Sequence, residues 1–130
     1  MLGPYRDVMN NTVLFQRAEG LAILAASIYF YFRQKGSIWM FLLLLLVPDI
    51  CMIGYLWGNK VGAVVYNLGH TLVLPILLLV AGVILQQNLV VLLSLIWLAH
   101  IGMDRALGYG LKSTEGFKHT HLGVIGKYKK

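Results

Sequence analysis

Residues 38–57 read IWMFLLLLLVPDICMIGYLW, twenty positions at which the one formal charge is Asp49. At ~1.5 Å of rise per residue, such a run is about 30 Å long as a helix, which is the thickness of a bilayer's hydrocarbon core. From Trp39 to Val47 no polar residue breaks it, so it has no face to turn toward water, and lipid is its solvent. Working outward, the same length and apolarity recur at Val13–Phe32, Val61–Leu85 and Leu89–Tyr109. The expected fold is all-α: a polytopic membrane protein, an antiparallel bundle of four transmembrane helices over about 13–32, 38–57, 61–85 and 89–109. A polar tail, 110–130, follows, and residues 1–130 are expected to form a single integral membrane domain.

Composition agrees. The 130 residues are 58% hydrophobic and 12% charged, with a mean hydropathy of +0.73, too apolar for a soluble domain of this size. The connections Arg33–Ser37, Gly58–Lys60 and Gln86–Asn88 are short, which forces consecutive spans to be antiparallel neighbours. Tyr29, Tyr31, Trp39, Tyr55, Trp57 and Tyr109 fall near segment ends, where amphipathic rings favour the headgroup layer. The first apolar run has no small-residue cleavage site in a polar context behind it and is expected to be retained.

The net charge of +6 lies at segment ends and in the tail, without the aromatic interleaving of a nucleic-acid surface. Nucleic acid is therefore not an expected partner, and anionic membrane lipids are. Arg6, Arg17, Lys60, Arg105, Lys112, Lys118, Lys127, Lys129 and Lys130 share the side of the termini, against Arg33 and Lys35 on the other. The positive-inside rule then places both termini in the cytoplasm of a multi-pass inner (plasma) membrane protein. The single cysteine, Cys51, has no partner for an intramolecular disulfide or a thiolate metal pair.

Ionisable side chains within spans cost a few kcal/mol each, so each needs a partner or a function. Glu19, Asp49, His70, His100 and Asp104, with Asn67, are such residues. Because alternate spans run in opposite directions, all of them fall about 8–14 Å below the cytoplasmic boundary at helical rise. His100 and Asp104 are separated by one helical turn on one face, the spacing that lets two side chains bind one ion. Imidazole nitrogen with carboxylate oxygen suits zinc, manganese or iron. His119 and His121 point the same way in an extended segment and are placed to cap such a site. Simpler roles stand beside these: Glu19 neutralising Arg17 or Arg105, Asp49 marking a cap or kink after Pro48, either histidine as a hydrogen-bonded packing residue. Tyr66, Met52 and Met103 read as core filling, and Cys51 as a small buried hydrophobe.

The strings VPDI (47–50), NLGHT (67–71), AHIGMDRALGYG (99–110) and THLG (120–123) resemble an uncharacterised family of small bacterial membrane proteins known as a domain of unknown function. The order Pro-Asp, His-Thr and His-x-x-x-Asp is more distantly similar to membrane-bound, metal-dependent hydrolases. That resemblance implies metal ligation by Asp49, His70, His100 and Asp104. Cys51 and Thr71 depart from its pattern, standing where an aspartate and a serine occur.

These features lead to a metal-dependent hydrolase of a lipid or isoprenoid ester or phosphoester at the cytoplasmic leaflet. Asp49, Asp104 and Glu19 are its candidate catalytic carboxylates, with Arg105 and Lys112 binding substrate. Arg105 also has a simpler role, pairing with Glu19 or reaching the headgroups. Three alternatives remain open at this stage: a b-type haem between His70 and His100, a proton or cation pathway that would call for a homo-oligomer, and a non-catalytic subunit whose polar layer serves helix association.

Overall fold

A proline inside a helix lacks the amide donor to the carbonyl four residues back, and its ring collides with that carbonyl. Pro48 and Pro75 direct this conflict at Leu44 and Thr71. In the computed structural model, which describes residues 3–110, 119–120 and 123–124, with side chains from 10 to 110, both spans break there. The helix α2, Ile38–Leu44, ends on the residue four before Pro48 and gives way to a 3-10 helix over Val47–Trp57. The next span runs as α3, Asn59–His70, is interrupted at Thr71–Leu72, and resumes as α4, Val73–Ile84. The outer spans, α1 (Gly3–Arg33) and α5 (Asn88–Ala106), are continuous. Four stretches, Asn10–Arg33, Ile38–Trp57, Asn59–Ile84 and Asn88–Ala106, are long and apolar enough to cross a membrane.

The spans thus lie within a few residues of their expected bounds, but two of the four are not single helices. An eleven-residue 3-10 helix is unusual, since such runs seldom exceed a turn or so. Its first turn carries Asp49. The tail contributes a two-residue antiparallel ladder, His119–Thr120 with Gly123–Val124.

Helix α5 is the centre of the bundle. Its buried residues include Leu92, Leu95, Ile96, Leu98 and Ala99, which pack with Tyr31 of α1 and Phe41 of α2. Most large apolar side chains elsewhere, among them Leu43, Leu56 and Ile84, are exposed, as in a surface solvated by lipid.

Close approach of α1 to α5 depends on two glycines. A methyl group on Gly102 would stand 2.7 Å from the Gly20 carbonyl oxygen, and one on Gly20 would stand 2.7 Å from the Ala106 nitrogen. Small residues let backbones approach in a lipid-solvated bundle, where packing replaces the hydrophobic effect. The 3-10 helix packs on α3 in the same manner: Tyr55 covers Gly62, and Cys51 lies against Gly69.

Three helix ends are Schellman turns. At the C-terminus of α5 the Tyr109 amide donates to the Asp104 carbonyl at 2.7 Å and the Gly108 amide to Arg105 at 3.1 Å, with Gly108 at φ +90°. The remaining orphan carbonyl of Ala106 accepts from Arg17 Nε at 3.0 Å. Lys35 and Gln86 take the left-handed position that ends α1 and α4.

Candidate metal centre

The two helix breaks set the site. His70 is the last residue of α3 and Asp49 lies in the first turn of the 3-10 helix, so both side chains project from helix ends. His100 and Asp104 supply the other half from one face of α5. Their four donor atoms all lie within 4.8 Å of one another. His70 and His100 are almost completely buried, at 3% and 0% exposure.

Five distances define the arrangement. The His70 and His100 Nε2 atoms are 3.1 Å apart. Asp49 Oδ1 stands 3.3 Å from His70 Nε2 and 3.2 Å from His100 Nε2. Asp104 Oδ2 stands 3.4 Å and 3.2 Å from the same two atoms. An ion bonded to imidazole nitrogen at roughly 2.0–2.1 Å and to carboxylate oxygen at roughly 2.0–2.2 Å has tetrahedral edges of about 3.3–3.5 Å. The cluster could hold such an ion with little movement.

His70 Nδ1 lies 2.8 Å from the Tyr66 carbonyl, which can only accept, so Nδ1 carries the proton and a neutral ring turns its lone pair on Nε2 toward the cluster. Both carboxylates are acceptors as well. The imidazole–carboxylate contacts, 3.2–3.4 Å, lie at or beyond the long end of a direct hydrogen bond and share one spacing around a common centre. A backbone carbonyl fixing the tautomer of a histidine is the support that metal-ligating imidazoles ordinarily have. Nδ1 of His100 is buried without a hydrogen bond of its own, beside the Leu45 carbonyl at the end of α2.

The same distances suit a single ion better than a haem between the two histidines. Ligands on opposite faces of an iron stand about 4 Å apart, twice a bond of roughly 2.0 Å. At 3.1 Å the two nitrogens subtend about 100° at an ion, leaving no plane for a porphyrin.

Two residues outside the cluster hold it. The Tyr66 ring stacks on His70 with centroids 3.7 Å apart and planes 9° from parallel. The Gly69 carbonyl, released by the break after His70, accepts from Trp97 Nε1 at 2.6 Å, tying the end of α3 to α5. From sequence Tyr66 reads as core or interface filling, and Trp97 carries no role. A tryptophan well inside a span carries a donor that must find an acceptor, and that was its signal.

The other expected site residues lie elsewhere. Glu19 does not join the cluster: it is exposed on α1 beside Gly20, which is level with Arg105 and Ala106 at the end of α5. That places it toward the bundle mouth, because the crossing of α1 and α5 is set by Gly20 and Gly102. Among the described residues Glu19 forms no ion pair with Arg17 or Arg105. Lys112, His121 and the side chain of His119 fall outside the described residues.

A small pocket of about 10 Å3 opens beside the cluster, lined by Tyr66, His70, Ile101, Asp104, Arg105, Tyr109 and Gly110. That is room for about one water. Asp104 is the one cluster carboxylate that lines it, and the Schellman turn brings Tyr109 and Gly110 to its wall.

A family model described as a domain of unknown function, DUF4260, matches residues 13–125, and the chain belongs to that family. No curated protein and no solved structure matches it.

Proposed function

We propose that this DUF4260 protein is a membrane-embedded metal protein in which Asp49, His70, His100 and Asp104 hold one divalent ion. We further propose that it hydrolyses a lipid or isoprenoid ester or phosphoester drawn from the cytoplasmic leaflet, with both termini in the cytoplasm. The observation that carries the metal reading is the near equality of the five donor distances, 3.1–3.4 Å, around a common centre. Zinc fits a tetrahedron of two imidazoles and two carboxylates best; manganese or iron would add one or two waters. Two carboxylates balance the charge of a dication, which lowers the cost of placing it in lipid.

The hydrolase reading rests on the pocket. A metal ion supplies Lewis acidity and a lowered pKa for a bound water. Asp104 meets the cluster through Oδ2, leaving Oδ1 to take the proton of an attacking water and return it to the leaving oxygen. Arg105 stands at the pocket wall. The presence of four protein donors favours a second reading. Structural metal sites are closed, whereas catalytic ones keep a position open, so the ion could instead pin two broken helices to α5.

Metal content of the detergent-purified chain, followed by turnover of lipid esters and phosphoesters with and without chelator, tests both readings. One ion per chain with chelator-sensitive turnover supports the hydrolase. One ion without turnover, and with a large loss of thermal stability on chelation, leaves the structural role. Absence of a bound ion overturns both.

A further inference from the structure

Arg105 follows the ligand Asp104 directly and lines the pocket that His70 and Asp104 also line. Among the described residues every ion pair lies inside the cluster, so Arg105 has no carboxylate partner there. Its backbone is held by α1: a methyl group on Gly20 would stand 2.6 Å from the Arg105 Cβ. Arg17 lies at the same end of α5, bonded through Nε to the Ala106 carbonyl and exposed beyond it.

The charges then sum simply. Asp49 and Asp104 neutralise a dication, and the Arg105 guanidinium leaves one positive charge at the mouth, with that of Arg17 close by. A neutral ester has no use for that charge, but an oxyanion does. Guanidinium groups hold phosphate oxygens through paired N–H donors. The enclosed space of about 10 Å3 admits a group the size of one water, so a single phosphate oxygen fits beside the cluster and an acyl chain does not.

We propose that this pocket is an oxyanion subsite for the phosphate group of a phosphomonoester, which places one oxygen on the metal ion and others on Arg105. Arg105 is thereby the residue that selects a phosphomonoester over a neutral ester. The proposal deepens the metal-dependent reading above and rests on it. The same chemistry would accept a lipid phosphate headgroup from the bilayer or free phosphate from the cytoplasm.

The test uses the full chain in phosphatidylcholine nanodiscs, loaded with cobalt(II), whose visible spectrum reports a change of ligands. Inorganic phosphate is expected to shift that spectrum saturably. Arg105→Gln should weaken the response at least tenfold while cobalt stays at one per chain, and Arg105→Lys should fall between. Phosphatidic acid in the nanodisc shifting the spectrum without added phosphate would identify the lipid as the source; a response to inorganic phosphate alone would identify the soluble anion. A cobalt-loaded chain indifferent to both, or an Arg105→Gln variant that binds phosphate as wild type does, overturns the subsite and leaves the metal reading standing. A chain that takes up no cobalt overturns both.

Discussion

The Nε2 atoms of His70 and His100 meet at 3.1 Å from two different spans, and Asp49 Oδ1 bridges them at 3.3 and 3.2 Å. In neutral form the His70 nitrogen presents a lone pair, and the carboxylates add more. Four polar groups converging in a lipid-solvated bundle need partners, which the proposed ion would supply. The predictions below follow from that requirement.

Removal of any one donor should abolish tight metal binding. His100→Ala and Asp104→Ala are expected to fall from about one ion per chain to less than about one tenth after dialysis against a weak chelator, measured by elemental analysis. Glu19→Gln, on the outer face of α1, should retain the full complement.

An ion that binds the folded bundle stabilises it by mass action, by about 2.7 kcal/mol at a hundredfold excess over Kd. Zinc should raise the detergent melting temperature of wild type and leave His70→Ala unmoved. The shift should vanish on acidification, because protons compete for the imidazole nitrogens that the ion needs neutral. A shift that grows as pH falls would contradict metal binding through His70 and His100.

Pro48 ends α2 at Leu44 and thereby turns Asp49 into the cluster. Pro48→Ala permits the span to continue as an α-helix, which advances about 100° per residue against about 120° in a 3-10 helix. Circular dichroism should show equal or higher helicity while metal affinity drops at least tenfold. Unchanged affinity would mean that the break does not position Asp49.

Gly69 carries the Cys51 sulfur against its Cα. Gly69→Ala should destabilise by about 1–3 kcal/mol through overpacking. Cys51→Ala should recover part of that loss, since the two changes act on one contact. Thermal melts of the two single variants and the double variant measure the coupling; strict additivity would contradict the contact.

Trp97→Phe keeps most of the ring's bulk and removes the donor to the Gly69 carbonyl. Stranding that acceptor should cost about 1–3 kcal/mol. Because the bond holds the end of α3, metal affinity should weaken together with the melting temperature. A loss of stability at constant affinity would assign Trp97 to packing alone.

Much of this was legible in residues 38–57 and their counterparts, because lipid solvation demands long apolar runs whose ends polar residues mark. The four ligands were also legible as a set, since antiparallel spans bring Asp49, His70, His100 and Asp104 to one depth and two of them share a helix face. Depth does not give azimuth, however. Glu19 shares the layer by residue count but faces outward, because Gly20 and Gly102, rather than charge, set the rotation of α1. The breaks were half legible: Pro48 signalled a kink beside Asp49, while the same conflict at Pro75 and Thr71 went unread. The parts played by Tyr66 and Gly69 rest on backbone carbonyls, which carry no side-chain signature.

X-ray absorption at the metal edge, on wild-type chain purified in mild detergent and saturated with zinc, addresses the cluster most directly. The expected result is one ion per chain with two nitrogen and at least two oxygen neighbours at about 2.0–2.2 Å, the two nitrogens showing imidazole scattering. A chain that stays metal-free at saturating zinc, or an ion coordinated by fewer than two imidazoles, would contradict a metal centre built from Asp49, His70, His100 and Asp104.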